Sequence, residues 1–393
     1  MFLTRASNTA ARAAGARTWL PLLANGGAAL RGQQCFSTSP ARQGNHIITF
    51  RPSSTPELDQ LLEDFRHKII LPTYLSPEQR RRIYNPRQKQ SLINDPVTME
   101  IDGVIHRFRY VDQVRDLPST TKTLAAAIKM MRSEDDFRNV RPLLEGARRA
   151  GRKLNHPLIG SLIRRAAEHD ALDVVLECAK AADKTGIKLD RSEYIAQLLV
   201  WLQWPAIRSG FAADETKAAL RRVGRVVDLL EEDEEVHRPD LATRGAFPFY
   251  RDPQVLAMRL HMAAARAVHH RKGKDDSEGN VSKWAAELMA LWPEGKGLLD
   301  LQPDEAYRDK NKLEYMLDRS QYLWVASPVL HGLTLAAQVV DPALTMQLQN
   351  RADKVEEEVQ AALASDKLSA KGRGRAMYDA LFRREQGQEE ASE

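Results

Sequence analysis

Apolar residues recur at intervals of three and four between about residues 121 and 202. Such spacing places apolar side chains along one face of an α-helix. Two of these runs, divided by a short polar break, form a unit that recurs 35 residues later, where Gly151-Arg-Lys-Leu154 is matched by Gly186-Ile-Lys-Leu189. A third unit opens near Tyr194. Because one helical hairpin cannot bury its own apolar face, the pattern predicts stacked helical hairpins.

The glycine that closes each unit is expected to end the second helix in the left-handed conformation. The apolar face predicts the core of the array. Its members are Leu124, Ile128, Val140, Ile159, Leu162, Ile163, Val175 and Leu198. Cys178 lies on the same face and is interpreted as a small core residue. Because Cys35 is the only other cysteine, a four-cysteine zinc site is excluded.

The repeated unit resembles the pentatricopeptide repeat. The residues that carry the likeness are Leu162-Ile163 in the first helix and the closing run from Lys184 to Asp190. The family closes with a similar Gly-Ile-x-Pro-Asp, and here Leu189 replaces the proline. The resemblance implies an array of helical hairpins of the kind that binds RNA.

A β-hairpin is predicted upstream of the repeats. Apolar and polar residues alternate on both sides of Asp102-Gly103, which is typical of a two-residue turn. We expect Ile101 to lie opposite Val104, with Arg107 and Arg109 on the polar face of the hairpin.

Residues 50–90 are basic and interrupted by prolines. Ser76-Pro77-Glu78-Gln79 predicts the start of a helix with a capping box. Arginines beside a tyrosine suit phosphate contact and base stacking, and a solvated helix face is the alternative. The candidate RNA-binding residues of this segment and of the hairpin are Arg80, Arg81, Arg82, Tyr84, Arg87, Lys89, Arg107 and Arg109.

Further helices are predicted after the repeats. Pro205 is expected to end the helix that begins near Tyr194. The predicted helices beyond it are 216–230, 254–270, 281–291, the pair 313–324 and 330–340, and 343–364. The fold class is therefore mostly α, with a pentatricopeptide-like helix-hairpin array, a small N-terminal β-hairpin and an extended basic arm.

The charge of the chain is unevenly distributed. Residues 1–42 hold five arginines and no acidic residue, which is typical of a mitochondrial transit peptide. Arg31–Ser39 resembles the end of fungal presequences, and we expect cleavage between about residues 31 and 45. Residues 43–156 carry a net charge of +6 and residues 157–393 carry −6. Any contact with a polyanion is therefore expected toward the front of the chain.

The sequence contains no phosphate-binding glycine loop, no nucleophile elbow and no histidine pair with metal-ligand spacing. His261, His269 and His270 share one predicted helix and are expected to have surface or packing roles. No apolar run reaches the roughly 18 residues that a membrane span requires. We therefore expect neither an enzyme nor a cofactor, metal or small-molecule site.

Five regions follow from these patterns. They are a mitochondrial transit peptide at 1–42, a basic arm and β-hairpin at 43–117, pentatricopeptide-like repeats at 118–205, a C-terminal helical region at 206–365 and a disordered charged tail at 366–393.

The combination resembles fungal mitochondrial ribosomal proteins, with the large subunit favoured. That resemblance implies a matrix protein that contacts rRNA through its basic segment and neighbouring ribosomal proteins through its repeats. The alternative is a pentatricopeptide-type RNA-binding factor for mRNA maturation or translation, and an assembly factor for a respiratory complex is a third. Free factors usually carry many repeats and a basic groove, so the few repeats found here favour a fixed ribosomal component.

Overall fold

The computed structural model describes residues 47–383, apart from 102, 239–247, 311, 367 and 370. The predicted transit peptide, the turn residue Asp102 and residues 384–393 of the predicted tail lie outside the described residues. Most of the described chain is helical, and its two strands form one antiparallel hairpin. The predicted class, mostly α with a small hairpin near the amino terminus, is confirmed.

Residues 47–117, called the front segment below, form short helices followed by the hairpin. The elements are α1 (Pro56–Phe65), α2 (Pro77–Tyr84), α3 (Lys89–Asn94), β1 (Val97–Ile101) and β2 (Val104–Phe108). The predicted capping box begins α2, because the Ser76 hydroxyl accepts from the Gln79 N–H and the Gln79 side chain accepts from the Ser76 N–H. The segment predicted as an extended arm is therefore largely helical.

The hairpin has the predicted register. Ile101 lies opposite Val104, and Gly103 takes a positive φ of 79° in the turn. Arg107 and Arg109 are exposed, as the alternation predicted. Val104 was expected on the apolar face, but 58% of it is exposed because it lies beside the turn.

From Leu71 onward the front segment has a small core of its own, whereas α1 packs on the main core. Apolar side chains from the helices and from one face of the hairpin pack against each other, apart from the main core. Its buried members are Leu71, Leu75, Ile83, Leu92, Val97, Ile101 and Phe108. Because an isolated two-stranded hairpin is only marginally stable, these contacts with the helices hold the hairpin in place.

The repeat region is helical, as the three-and-four spacing of its apolar residues predicts. Its helices are α4 (Thr120–Met130), α5 (Glu134–Phe137), α6 (Val140–Arg149), α7 (His156–Glu168), α8 (Leu172–Lys180), α9 (Ala182–Thr185) and α10 (Ser192–Arg208). Gly151 and Gly186, which close the first and second units, have φ angles of 71° and 77°. All eight predicted core residues are buried. The likeness to the pentatricopeptide repeat itself stays a prediction.

Cys178 is buried on α8, and burial raises the pKa of its thiol to about 12. Since the thiolate is the nucleophile, a thiol with so high a pKa is unreactive near neutral pH. The interpretation of Cys178 as a core residue is confirmed.

The C-terminal region is helical throughout most of its described length. Its elements are α11 (Ala213–Glu232), α12 (Glu234–His237), α13 (Pro253–Arg271), α14 (Asn280–Leu291), α15 (Asp304–Arg308), α16 (Arg319–Ala337), α17 (Pro342–Leu363) and α18 (Arg373–Tyr378). Residues 366–393 were predicted to form a disordered tail. Within them, α18 packs on the main core through Met377, so the order of the chain extends further than the charge pattern suggested.

Two prolines lie inside continuous helices, although the sequence predicted an interruption of each helix. Helix α10 continues through Pro205 to Arg208, and α16 is a single helix through Pro328 where two helices were predicted. A proline inside a helix removes one hydrogen bond and costs about 3 kcal/mol. Here Ile207 and Val329 are buried in the main core, and this packing keeps both helices continuous.

A buried polar network connects α10, α13 and α16. The Nδ1 atom of His261 lies 2.7 Å from Oε1 of Gln203, and its Nε2 atom lies 2.9 Å from Nδ1 of His331. Burial, followed by the proximity of His331 and His269, lowers the pKa of His261 well below its usual value. The predicted packing role of this histidine is confirmed. Gly332 follows His331 on α16. A Cβ atom added to Gly332 would lie 2.9 Å from Cα of His261, so the two helices approach each other closely here.

Asp136 on α5, between the two longer helices of the first repeat unit, binds the beginning of the front segment. Its carboxylate accepts from the Ser54 N–H and hydroxyl, both at 2.7 Å, and from the N–H groups of Arg132 and Ser133. Asn139 adds a reciprocal pair of hydrogen bonds to the backbone of Arg51. Burial alone would raise the pKa of Asp136, but the hydrogen bonds outweigh burial and lower it to about 2.

This carboxylate predicts an acid-sensitive contribution to stability. Because the folded pKa lies below the unfolded value, ionised Asp136 stabilises the protein above pH 3.8, and the stabilisation is lost as pH falls toward 2. We expect Asp136→Asn to lower the urea midpoint near neutral pH, and the difference from the parent protein to shrink at about pH 3.

The neighbouring residue provides the control. The Asp135 side chain makes an exposed ion pair with Arg138, so Asp135→Asn should leave the midpoint nearly unchanged at both pH values. Equal effects of the two substitutions would contradict the role assigned to Asp136.

Candidate nucleic-acid interface

Five of the eight predicted RNA-binding residues lie on α2 or in the short turn that follows it. Arg80 is exposed, yet its Nη2 group donates to the carbonyl oxygens of Thr73 (2.9 Å) and Leu75 (3.3 Å). Arg82 pairs with Asp95, whose Oδ2 atom lies 2.7 Å from Nη2. Both arginines therefore make contacts within the protein, whether or not they also bind a ligand. Arg81 and Arg87 are exposed and project into solvent.

The remaining predicted residues belong to α3 and to the hairpin. The Lys89 ammonium lies 5.8 Å from the centre of the Tyr110 ring, a distance at which the cation and the ring attract each other. Arg107 and Arg109 are exposed on or beside β2, and Arg107 lies opposite Thr98. These hairpin arginines form a cationic edge of the front segment.

Two of the predicted residues, Arg80 and Tyr84, line a cleft. The cleft lies between the front segment and the carboxyl end of α6, and its volume is about 510 Å³. Its cationic residues are Lys68, Arg80, Arg149 and Arg152, and its apolar residues include Ile69, Pro72 and Leu117. Among the described residues that line it, none is acidic.

The end of α6 explains how two arginines reach the cleft. Gly151 takes the left-handed conformation, and the N–H of Arg152 donates to the carbonyl oxygen of Ala147 at 2.9 Å. This backbone arrangement satisfies the last carbonyls of the helix and turns the chain away from the helix axis. Arg149 precedes Gly151 in the sequence and Arg152 follows it, and both side chains line the same cleft.

Arg149 is held in a fixed position. Its Nε atom donates to the Thr73 hydroxyl at 3.1 Å, and its guanidinium carbon lies 4.1 Å from the centre of the Tyr74 ring. Stacking of a guanidinium on an aromatic face orders the side chain. The sequence analysis did not identify Lys68, Arg149 or Arg152. The available signal was the basic run Arg148-Arg149 and Arg152-Lys153 around the closing glycine of the first repeat.

Tyr84 lies at the edge of the cleft and is half-buried. Burial raises the pKa of its phenol, while the charges of Arg80 and Arg152 oppose that shift. The ring is therefore neutral near physiological pH. A neutral tyrosine in a cationic cleft offers an aromatic face to a planar group without repelling a phosphate.

Other chemistry is not evident in the described part of the chain. No group of three or more His, Cys, Asp or Glu side chains among the described residues is placed to hold a metal ion. Of the helices that the structure describes, none combines the length and apolar character needed to cross a membrane.

Comparisons with known proteins agree with a ribosomal role. The profile of the family described as "Mrp13: Mitochondrial ribosomal protein mS27" matches residues 34–380, a range that includes the front segment and the cleft. A protein of Neurospora crassa, named "Small ribosomal subunit protein mS27", is 39% identical over 348 residues. The alignment covers 84% of this chain and 88% of that protein.

Proposed function

The chain belongs to the mitochondrial ribosomal protein mS27 family, and from this we propose that it is a structural component of the small subunit of the mitochondrial ribosome. The family is one of ribosomal proteins rather than enzymes. The single observation that carries the proposal is the match to the family over residues 34–380. A mitochondrial location follows from the family, and we place the protein in the matrix, where translation takes place.

The preference for the large subunit is corrected here. It rested on a general resemblance, and no residue in the sequence distinguishes one subunit from the other. The relative in Neurospora crassa is named as a protein of the small subunit. The match to a ribosomal family likewise disfavours a free RNA-processing factor and a respiratory assembly factor.

We assign contact with rRNA to the front segment and the adjoining first hairpin. Residues 43–156 carry a net charge of +6, whereas residues 157–393 carry −6. Exposed cations within this range attract the phosphate backbone of RNA at any sequence. The exposed candidates are Arg80, Arg81, Arg87, Lys89, Arg107 and Arg109, with Arg82 and Tyr84 partly covered.

The acidic part of the chain is assigned to neighbouring ribosomal proteins. Its net charge of −6 repels a phosphate backbone and favours basic protein partners. The pentatricopeptide-like repeats connect the two parts, since their first unit closes with arginines and their second leads into the acidic region. Under this division, residues 43–156 contact RNA and residues 157–393 contact neighbouring proteins.

Sedimentation of the tagged protein from mitochondrial lysate tests the proposal. We expect it to migrate with the small ribosomal subunit and to remain there at moderate salt. Removing two exposed charges with Arg81→Gln and Arg87→Gln should release the protein at lower salt, because each lost phosphate contact weakens binding.

A matched pair of substitutions on α11 provides the control. Lys217 and Arg221 are exposed in the acidic part of the chain, and their change to glutamine removes the same charge. This variant should sediment like the parent. Migration of the parent protein with the large subunit, or in a small ribonuclease-sensitive particle, would disprove the proposed function. Release of only the α11 variant would disprove the assignment of rRNA contact to the front segment.

A further inference from the structure

We propose that the cleft between the front segment and the end of α6 binds an unpaired strand of RNA. In this arrangement, phosphates contact Arg149 and Arg152, and a base lies against Tyr84. The inference rests on the proposed function and extends it, because it names the form of RNA that this site takes.

The charge of the cleft favours an anionic ligand. Two of its cations, Lys68 and Arg80, come from the front segment, and the other two, Arg149 and Arg152, come from the end of α6. Lys68 pairs with Asp64 at 3.5 Å, but among the described residues that line the cleft none is acidic. Cations from both walls are thus brought together in a lining whose described residues include no carboxylate, and this concentration of positive charge attracts an anion.

The cationic groups are positioned before any ligand arrives. Thr73 is shared between the walls, since its carbonyl accepts from Arg80 and its hydroxyl accepts from Arg149. The Tyr74 ring lies beneath the guanidinium of Arg149. Side chains that are already ordered lose less conformational entropy when a ligand binds. The ordered side chains therefore favour a specifically bound ligand over loosely associated counterions.

The size and the aromatic lining of the cleft favour a single strand. Its volume of about 510 Å³ lies within the range of about 300–1,000 Å³ typical of small-ligand sites. It is therefore large enough to admit a nucleotide-sized group. In a duplex the bases are stacked on each other, whereas an unpaired base can stack on an aromatic side chain.

The apolar part of the lining favours a nucleotide over an acidic peptide. Ile69, Pro72 and Leu117 lie beside the half-buried Tyr84. A base presents a flat apolar face to such residues while its phosphate reaches the cations. Aspartate and glutamate side chains supply the charge without a planar group, so they leave the apolar residues uncovered.

Binding of a short fluorescent oligouridine to the full chain tests the inference. We expect Arg149→Gln combined with Arg152→Gln to weaken binding roughly tenfold for each lost charge-assisted contact. The slope of log K against log salt should become shallower by about 1.4, because each phosphate contact on a single strand contributes about 0.7. Arg152→Gln alone, which leaves the stacking of Arg149 on Tyr74 intact, should produce about half of that change in slope.

Two further variants separate stacking from charge. Tyr84→Phe should keep the affinity of the parent because it keeps the ring, and Tyr84→Leu should weaken binding at all salt concentrations. The α11 variant with Lys217→Gln and Arg221→Gln should bind oligouridine like the parent.

Three results would overturn the inference. They are parent-like binding by the Arg149 and Arg152 variant, equal competition by duplex RNA of the same length, and equal competition by a polyglutamate peptide. If the parent still sediments with the small subunit, such a result disproves the cleft as an RNA site and leaves the proposed function standing. Failure to sediment with the small subunit disproves the function instead.

Discussion

Replacement of Leu162 by alanine is expected to lower the free energy of unfolding by about 2–5 kcal/mol. The side chain lies on α7 and is 1% exposed, in the main core where the repeat helices pack. The substitution removes apolar contacts and leaves a cavity that the surrounding helices fill only in part. Urea denaturation of the purified protein should show the loss as a lower midpoint with an unchanged slope.

The same substitution at an exposed leucine is the control. Leu317 is 51% exposed, so Leu317→Ala removes the same atoms without opening a cavity. We expect its effect to stay within about 0.5 kcal/mol, as is usual at surface positions. An unchanged midpoint for Leu162→Ala would show that the helical register of the repeats is wrong.

Replacement of Gly332 by alanine is expected to destabilise the protein by about 1–3 kcal/mol. In an ordinary helix the change would stabilise it by up to about 1 kcal/mol, because alanine has the higher helix propensity. Here a Cβ would lie 2.7 Å from Cβ and 2.9 Å from Cα of His261. Since the second of these atoms belongs to the backbone of α13, the two helices must move apart to accommodate the methyl group.

Gly224 on α11 is the matched position for this test. A Cβ added there meets no atom within 4 Å, so Gly224→Ala should follow helix propensity and stabilise the protein by about 0.5–1 kcal/mol. The two substitutions are chemically identical and should shift the melting temperature in opposite directions. A rise of the melting temperature for both would contradict the close approach of α13 and α16.

Local patterns predicted the repeat helices and the hairpin. The three-and-four spacing fixed which side of each repeat helix is buried, and Asp102-Gly103 fixed the pairing of Ile101 with Val104. These features depend on residues that lie near each other along the chain. A single sequence is sufficient to predict them, because periodicity and turn chemistry act over a few residues.

Features that depend on tertiary packing were not predicted. Pro205 and Pro328 lie in helices that buried neighbours keep continuous, and proline propensity alone indicated breaks. The hydrogen bonds of His261 join three helices that are far apart in sequence.

The candidate site was predicted in part for the same reason. Arg80 and Tyr84 were identified from a basic run beside an aromatic residue. Arg149 and Arg152 join them only because the end of α6 packs against the front segment. The local sequence around Gly151 shows a basic cluster, but it does not show which surface that cluster faces.

The hydrogen bonds of Asp136 and Asn139 also impose an order on the folding of a chain that emerges amino terminus first. They join Ser54 and Arg51 to partners 82 and 88 residues later in the chain. A polypeptide that crosses a membrane amino terminus first delivers the front segment well before these partners emerge. Until then the segment lacks its attachment to the repeats, and the cationic cleft has only one wall. A chain that emerges in this direction therefore cannot form the complete cleft before the first helical hairpin has emerged.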